Sequence, residues 1–152
     1  MLKTNMNELN TMLHKRISAS FDRQGMMRTL GAVLETVREG HVTITAPIRA
    51  GSSQQHGFAH AGLTFSLGDS AAGYAALSLL PAGQGILTAE MKINLLAPGR
   101  GTFLRATGRV IKPGRRLVVA AADVHAIDAD GSETLVAVLQ GTLVPITESD
   151  AP

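Results

Sequence analysis

Asp69 is the residue of this chain whose type and surroundings best suit acid–base or nucleophilic chemistry. It is the single carboxylate in a long apolar run from Ala59 to Leu80. A lone carboxylate in such surroundings costs free energy unless it is paired with another group, solvated by a cavity, or used in a reaction. Asp69 is therefore a candidate functional residue. The alternative is a buried acid whose partners are backbone or serine groups.

An amide and two histidines come just before Asp69 and could act with it. His60 lies nine residues before Asp69, and Gln54 lies six residues before His60. At about 100° per residue, that separation places His60 and Asp69 on opposite sides of one helix. If these residues form one site, they come from different copies of the chain, and the site lies at a dimer interface. A helix cap is the alternative role for His60, and His56 is expected to be a solvated loop residue.

The element expected to position Asp69 is a helix over the apolar run. No proline interrupts Ala59 to Leu80, and Pro81 then disfavours further helix. The larger side chains recur along a helical stripe, while Ala and Gly fill most other positions, so this helix is expected to be covered on nearly all sides. The stripe consists of Leu63, Leu67, Ser70, Tyr74, Leu77 and Ser78.

A membrane-spanning helix is the alternative, because the run is about long enough to cross a bilayer. Asp69 would then lie near the bilayer centre, at a cost of about 2.5–3.5 kcal/mol. Gly62, Gly68 and Gly73 also lower the helix propensity of the run. The neighbouring segments have the pattern of a sheet, so a buried helix in a globular domain explains more of the sequence.

Segments with strand-like patterns predict six strands around this helix. Two precede it, Met27 to Val37 and His41 to Pro47, with Gly40 as the break between them. Four follow it, with turns at Pro98-Gly99, Pro113-Gly114 and Asp130-Gly131: Ile86 to Ala97, Thr102 to Lys112, Arg116 to Asp128 and Thr134 to Ile146. Consecutive strands joined by short turns predict an antiparallel meander.

The predicted class is α+β, with a curved antiparallel sheet of about six strands wrapped round one long central helix. A short amphipathic N-terminal helix is predicted from Asn5 to Ser18, with Leu9, Met12, Leu13 and Ile17 on one side. In the first strand after the central helix, alternation places Leu87, Ala89, Met91, Ile93 and Leu95 on one face and Thr88, Glu90, Lys92 and Asn94 on the other. We expect one domain over residues 1–152, with its core at about 27–146.

Length and composition exclude several classes of protein. A chain of 152 residues suits one domain with a sizeable core, and the absence of cysteine excludes disulfides and thiol chemistry. No HExxH metal spacing occurs, so no metal is expected, and no GxSxG nucleophile elbow occurs either. No cofactor is expected. The N-terminal segment lacks a signal-peptide pattern, and a cytoplasmic location is expected.

Positive charge is concentrated in the middle of the chain, although the net charge is only +2. Between Arg49 and Arg116 there are eight Lys or Arg and two acids, whereas six acids and no Lys or Arg follow Arg116. The middle segment could attract an anionic ligand, and an ordinary solvated surface is the alternative. No basic run or nucleic-acid motif accompanies this charge, so neither nucleic acid nor a membrane is expected as a partner.

Several short motifs occur in order between Gly40 and Ile146. They begin with Gln54, His60-Ala61-Gly62 and Asp69, and continue with the segment from Thr88 to Pro98. Gly114-Arg115-Arg116 and Gly141-Thr142-Leu143 complete the set. In order and spacing, these motifs resemble the hotdog-fold acyl-CoA thioesterases of the phenylacetate-pathway (PaaI) type. The chain departs from that pattern at Ala61, where the family has Gly, and at Gln54, where Asn is commoner.

The resemblance implies hydrolysis of an acyl-CoA thioester and assigns catalytic roles. Asp69 would be the base or nucleophile, and an amide such as Gln54 would orient the water or the substrate. The N–H of Ala61, at a helix N-terminus, would face the thioester oxygen, where the helix dipole favours negative charge. His60 would shape the loop or contact the thioester, and Thr88 would hydrogen-bond the water.

The resemblance also implies a substrate-binding set and an assembly. Gly62 would line the substrate site. The excess of positive charge in the middle of the chain, together with the resemblance at Gly114-Arg115, predicts that Arg100, Arg115 and Arg116 hold the CoA phosphates. The partner would be a small-molecule acyl-CoA, and the protein would be a homodimer that assembles to a homotetramer, with its sites at the dimer interface. Two other functions stay open: a hotdog dehydratase or hydratase acting on an acyl carrier thioester, and a non-catalytic acyl-CoA-binding module.

Overall fold

The computed structural model describes residues 6–150, and nearly all of the predicted helices and strands lie within them. The helices are α1 (Met6–Phe21), α2 (Gly25–Leu30) and α3 (Ala61–Leu77). The strands are β1 (Val33–Arg38), β2 (His41–Pro47), β3 (Gln84–Leu95), β4 (Phe103–Lys112), β5 (Val118–Ile127) and β6 (Glu133–Thr147). The predicted N-terminal helix is therefore confirmed as α1, while Asn5, its predicted first residue, lies outside the described residues.

All six strands form one antiparallel sheet in the order β1-β2-β4-β5-β6-β3, with α3 packed against it. This arrangement confirms the predicted fold class. The meander predicted after the helix is wrong for its first strand: β4, β5 and β6 are consecutive neighbours, but β3 pairs with β6 and β4 pairs with β2. The strand that follows α3 therefore lies at an edge of the sheet.

Small residues allow α3 to lie very close to the sheet. Leu67, Ala71 and Ala72 of α3 are fully buried. Gly108 of β4 lies directly beneath them, and an added Cβ there would overlap the carbonyl group of Ala71. Within the described residues no helix is long and apolar enough to cross a membrane, and α3 is the central helix of a packed domain.

The sequence pattern predicts a single strand from Met27 to Val37, and this prediction is wrong. The first part of this segment belongs to α2, which buries Met27 and ends at Gly31. Gly31 has a φ of 66° in the left-handed region, and its N–H binds the carbonyl oxygen of Arg28. Such a glycine ends a helix readily, and a short apolar run does not distinguish helix from strand by periodicity.

A bulge in β3 reverses the faces that simple alternation predicts for its first half. The register of β3 with β6 shifts between Thr88 and Glu90, which adds one residue to β3. Ile86 before the bulge and Met91 after it both pack against the core, whereas Leu87 is 57% exposed. The prediction that Leu87 shares a face with Met91 is therefore wrong. Thr88 lies on the side of β3 that faces α3.

Helix α1 packs at the C-terminal end of α3. The Arg16 guanidinium donates to the carbonyl oxygens of Leu77 and Leu80, at 2.8 Å each, where the helix dipole is negative. Ile17 is fully buried, while Leu9 and Met12 on the predicted apolar face are more than half exposed. The core therefore covers the C-terminal half of α1 and leaves the apolar side of its first turns open.

Candidate functional site

Asp69 projects from the middle of α3 into a cavity, and it is hydrogen-bonded there. Its carboxylate is half-buried, and the hydroxyl of Thr88 donates to Asp69 Oδ1 at 2.8 Å. Burial raises the pKa of Asp69 above its ordinary value, and the hydrogen bond from Thr88 offsets part of that rise. The second oxygen, Oδ2, has no hydrogen bond within the described part of the chain. Asp69 therefore keeps one oxygen for a proton or for an electrophile.

The cavity at Asp69 has a volume of about 510 Å³ and lies between α3, the start of β3 and the α1–α2 connection. Asp69 and Thr88 lie at one end, and Tyr74 and Gln24 lie at the other. Cavities of this volume suit a small-molecule group. Burial raises the pKa of Tyr74 above its ordinary value, so its hydroxyl is neutral near pH 7 and can both donate and accept.

The loop before α3 provides a second group of polar atoms. The ring nitrogen Nδ1 of His60 accepts from the N–H of Gly62 at 2.8 Å, so His60 caps α3 and a neutral His60 carries its proton on Nε2. The N–H of Gly62 is thereby occupied. The N–H of Ala61 has no acceptor among the described residues and lies at the positive end of α3. Ala61 thus offers a free backbone donor at the start of α3.

Gln54 is held by its own loop in an orientation that determines its chemistry. Its side-chain oxygen accepts from the backbone N–H of His56, and its backbone N–H donates to Phe58 O at 2.9 Å. The side-chain NH₂ group remains, and it can only donate. Together with Ala61 and His60, Gln54 lines a second concavity of about 550 Å³ that extends to the last residues of β3.

Within one chain the structure brings Asp69 and Thr88 together but does not bring them to Gln54, His60 and Ala61. The two groups line separate concavities, one at the start of β3 and one at its end. This separation agrees with the opposite sides that the spacing of His60 and Asp69 predicts. No polar contact joins the two groups among the described residues.

The predicted anion-binding arginines are divided in the same way. Arg100 lies at the N-terminal end of α3, where its guanidinium is 4.6 Å from the ring centroid of Phe58. Arg115 and Arg116 lie in the exposed turn between β4 and β5, next to the C-terminal end of α3. Two other basic residues of the central segment, Arg105 and Arg109, pair with Glu133 and Asp123 on the sheet.

No pattern in the sequence predicts the polar group at the far end of the Asp69 cavity. Gln24 Nε2 donates to the hydroxyl of Tyr74 at 2.9 Å, and Ser20 Oγ lies 3.3 Å from that hydroxyl. Ser20 and Gln24 belong to a different part of the chain, so no local spacing connects them to Asp69. Tyr74, five residues after Asp69 on the same helix, is the one signal that could have indicated this end of the site.

No metal centre is evident in the part of the chain that the structure describes. There, no three His, Asp or Glu side chains come close enough to hold an ion together.

Comparisons with known proteins agree with this fold. The model of the thioesterase superfamily matches residues 56–132. A predicted esterase of Saccharolobus solfataricus is 33% identical over 122 residues, which cover 80% of this chain and 78% of the relative. A crystal structure of a thioesterase family protein from Silicibacter pomeroyi has a TM-score of 0.86 and 40% identity, and covers 89% of this chain and 98% of that one. The PaaI protein of the Escherichia coli phenylacetic acid degradation operon has a TM-score of 0.78 and 24% identity, over 91% of this chain and 96% of that one.

A six-stranded antiparallel sheet around one helix that carries a half-buried carboxylate is a hotdog-fold arrangement. The matched family model and the 33% and 40% identical relatives then make the assignment more specific. This chain belongs to the thioesterase superfamily, and the resemblance to hotdog thioesterases of the PaaI type is confirmed.

Proposed function

We propose that this protein hydrolyses an acyl-CoA thioester to the free acid and CoA. The observation that carries the proposal is the half-buried carboxylate of Asp69, which is oriented by Thr88 at the end of a cavity on the central helix of a thioesterase-superfamily fold. A hydrolase of this kind needs a group that activates water or attacks the carbonyl carbon, and it needs donors where negative charge develops.

The proposed reaction uses the groups left unpaired in the two concavities. The free oxygen of Asp69 takes a proton from water as that water attacks the thioester carbon, or it attacks the carbon itself to form an anhydride that water then cleaves. In both routes the carbonyl oxygen becomes an oxyanion, the carbon–sulfur bond breaks, and the thiolate leaves and is protonated. The N–H of Ala61 faces the oxyanion, and the NH₂ group of Gln54 donates to the same oxygen or to the water.

The two halves of the site come together if two copies pair through their β3 edges. In one chain the start of β3 borders the Asp69 cavity, and the end of β3 borders the Gln54 concavity. Antiparallel pairing about a two-fold axis sets the start of one β3 beside the end of the other. Leu87, Leu95 and Leu96 on and after this edge strand are each more than half exposed, which also favours a partner there. Assembly of such dimers to a tetramer stays a prediction from the family resemblance.

Mixing two inactive variants is expected to restore activity if the site is shared. Gln54→Ala and Asp69→Asn subunits would each lack one half, but a mixed dimer keeps one complete site. Random exchange of equal amounts should restore about a quarter of the wild-type sites, since half of the dimers are mixed and each has one intact site. Thiol release measures the recovery, and native mass spectrometry measures the exchange.

The matched control is a pair of variants in the same half of the site. Mixed Asp69→Asn and Thr88→Val subunits gain no intact site, so their activity should equal the mean of the two separate variants. Full exchange without recovery in the Gln54 and Asp69 mixture would show that each site lies within one chain.

The exposed arginines of the β4–β5 turn are expected to bind the phosphates of CoA. They form no ion pair within the described residues. In the proposed dimer, antiparallel pairing of the two β3 strands would bring the end of the second copy's β3, with the Arg100 turn that follows it, towards this side of the site. Combined substitution of Arg115 and Arg116 by Ala should raise KM for acyl-CoA with little change in kcat. The increase should shrink as salt rises, because exposed charges are screened within about 10 Å at 0.1 M.

Two comparisons make this prediction specific. A truncated thioester without the nucleotide should be hydrolysed equally by wild type and variant. The Arg105→Ala, Arg109→Ala variant removes the same charge from the sheet and should leave KM for acyl-CoA unchanged. Equal KM increases in both double variants would instead indicate a loss of general electrostatic attraction.

A panel of acyl-CoAs separates hydrolysis from the other two functions. A hydrolase releases a thiol that a disulfide dye detects, and the protein itself contributes no background because it has no cysteine. A non-catalytic module would bind acyl-CoA tightly without releasing thiol. A dehydratase would change the absorbance of an enoyl thioester without releasing thiol. It would also need His60 as a base, although Nδ1 of His60 already accepts from Gly62.

A further inference from the structure

The N–H of Ala61 can serve as an oxyanion donor only if the start of α3 is held in a fixed place. The residue before it, His60, donates its backbone N–H to Ser52 O at 3.0 Å. Ser52 is the last residue of a short 3₁₀ helix, Ala50–Ser52 (the 50–52 turn). The position of Ala61 therefore depends on the position of the 50–52 turn.

Main-chain groups of Arg49 hold the 50–52 turn together. The N–H of Arg49 donates to Ser52 Oγ at 3.1 Å, and the N–H of Ser52 donates to Arg49 O at 2.9 Å. Ser53 Oγ donates to the same carbonyl oxygen at 2.7 Å. Arg49 and the turn thus move as one unit, so a displacement of Arg49 also displaces Ser52 O and the His60 N–H bonded to it.

The side chain of Arg49 lies against Gly31, at the end of α2. An added Cβ at Gly31 would lie 2.6 Å from Nη2, 2.7 Å from Cζ and 2.7 Å from Nη1 of Arg49. Nearly equal distances to these three atoms mean that the flat face of the guanidinium group, and not its edge, covers Gly31. A side chain at residue 31 would displace the group, so this contact requires glycine.

The contact with Gly31 fixes a side chain that has no other polar partner among the described residues. Arg49 forms no ion pair there, and its guanidinium group donates no hydrogen bond. The C-terminal end of a helix carries partial negative charge, which favours a cation at this place. Helix α2 is itself anchored, because Met27 is buried in the core. Through Arg49, the 50–52 turn is therefore attached to a fixed part of the domain.

We propose that Arg49 is a positioning residue for thioester hydrolysis: its guanidinium group holds the 50–52 turn on the end of α2, and the turn holds the N–H of Ala61 where the oxyanion forms. The inference rests on the proposed thioesterase function. It adds a residue that acts from a distance, since Arg49 lines neither the Asp69 cavity nor the Gln54 concavity.

Arg49→Ala is expected to lower kcat about tenfold and to leave KM for acyl-CoA nearly unchanged, because an oxyanion donor acts in the transition state. Complete loss of such a donor costs about 10²–10³ in kcat. Displacement costs less, since the N–H of Ala59 still donates to Gly99 O at 2.9 Å in the same loop. The factor should be the same for acetyl-CoA and hexanoyl-CoA, since every thioester has the same carbonyl oxygen.

Gly31→Ala breaks the same contact from the other side. It should lower kcat with the same kinetic pattern, and addition of Arg49→Ala to Gly31→Ala should cause no further loss of kcat. Two variants that break one contact are not additive, whereas two unrelated structural defects multiply their effects on the rate. Thermal melting measures whether each variant is folded at the assay temperature.

Arg28→Ala is the matched control, because it removes an exposed arginine from α2 itself. Arg28 lines neither concavity, and its replacement should keep the wild-type kcat. A loss of kcat that is equal in Arg28→Ala and Arg49→Ala would show that the charge of this region matters, and not the contact with Gly31.

Hydrogen exchange tests the same inference without a substrate. The amide of His60 is protected by its bond to Ser52 O, so it should exchange faster in Arg49→Ala than in wild-type protein and in Arg28→Ala. Amides of β5, in the interior of the sheet, should exchange at wild-type rates and provide the internal reference.

The outcomes separate this inference from the function on which it rests. If wild-type protein releases thiol from no acyl-CoA of the panel, the proposed function is wrong, whatever the exchange experiment shows. If it hydrolyses them but Arg49→Ala keeps the wild-type kcat, or instead raises KM in a salt-dependent way, the positioning role is wrong. Additive losses in the Gly31→Ala, Arg49→Ala double variant, or unchanged exchange at His60, would also overturn it.

Discussion

Replacement of Asp69 by Asn is expected to lower kcat by about 10²–10⁴-fold, the range for loss of a positioned acid–base group. The substitution keeps the shape of the side chain, and its oxygen can still accept from the hydroxyl of Thr88. What it removes is the oxygen that would take the proton or attack the carbon. Steady-state hydrolysis of the best acyl-CoA from the panel measures the loss.

The stability of this variant distinguishes a lost reaction from a lost fold. Because burial raises the pKa of Asp69 in the folded state, ionised Asp69 opposes folding, and that opposition is fully present above the folded pKa. Asn removes it, so the free energy of unfolding at neutral pH should be unchanged or higher. A variant that hydrolyses each accepted thioester at the wild-type rate would exclude Asp69 from the chemistry.

Replacement of Thr88 by Val is expected to change the pH dependence of kcat/KM. Asp69 must be ionised to act, so kcat/KM should rise as pH rises through its pKa and fall below it. The hydrogen bond from Thr88 favours the carboxylate, and its loss should move the acidic limb of the profile to higher pH. An unchanged acidic limb would mean that another group controls this titration.

Replacement of Gly108 by Ala is expected to reduce the free energy of unfolding by about 3 kcal/mol or more, at the upper end of what overpacking costs. The added methyl would overlap the carbonyl of Ala71, which is main chain and cannot move without shifting α3. Because Asp69 lies on the same helix, a shift of α3 should lower activity as well. Urea unfolding followed by circular dichroism measures the stability change.

A glycine with open space around it provides the control for this prediction. An added Cβ at Gly51 meets no atom within 4 Å, so Gly51→Ala should change the free energy of unfolding by only a few tenths of a kcal/mol. A Gly108→Ala variant as stable as Gly51→Ala would show that α3 can move away from β4 at little cost.

Local patterns in the sequence predicted much of this fold. Strand β2 begins and ends where alternation and Gly40 place it, and α3 lies within the predicted apolar run. Helix periodicity, strand periodicity and turn residues depend on residues that are neighbours in the chain. They can therefore be predicted from short stretches of sequence. The prediction of one strand from Met27 to Val37 was wrong for the same reason, because the four residues from Met27 to Leu30 are too few for periodicity to distinguish a helix from a strand.

The candidate site was predicted less completely. Asp69 stood out because a carboxylate in an apolar helix needs a partner, and the structure provides Thr88. The role of Ala61 came from a family resemblance, and the structure adds that its N–H is free while that of Gly62 is occupied by His60. Ser20 and Gln24 carried no signal, because their relation to Asp69 exists only after α1 packs on α3.

The sequence by itself determined that one apolar helix with a single carboxylate would lie against a six-stranded antiparallel sheet, since burial preference and chain direction at turns are local properties. Only the tertiary structure decided which strand is the edge and which face Thr88 occupies. The bulge between Thr88 and Glu90 depends on the register with β6, a partner some 50 residues away in the chain, and strand pairing at that distance is set by packing of the whole sheet. The same packing divides the predicted site residues between the two ends of β3, because side chains on opposite sides of one helix cannot meet within a single chain.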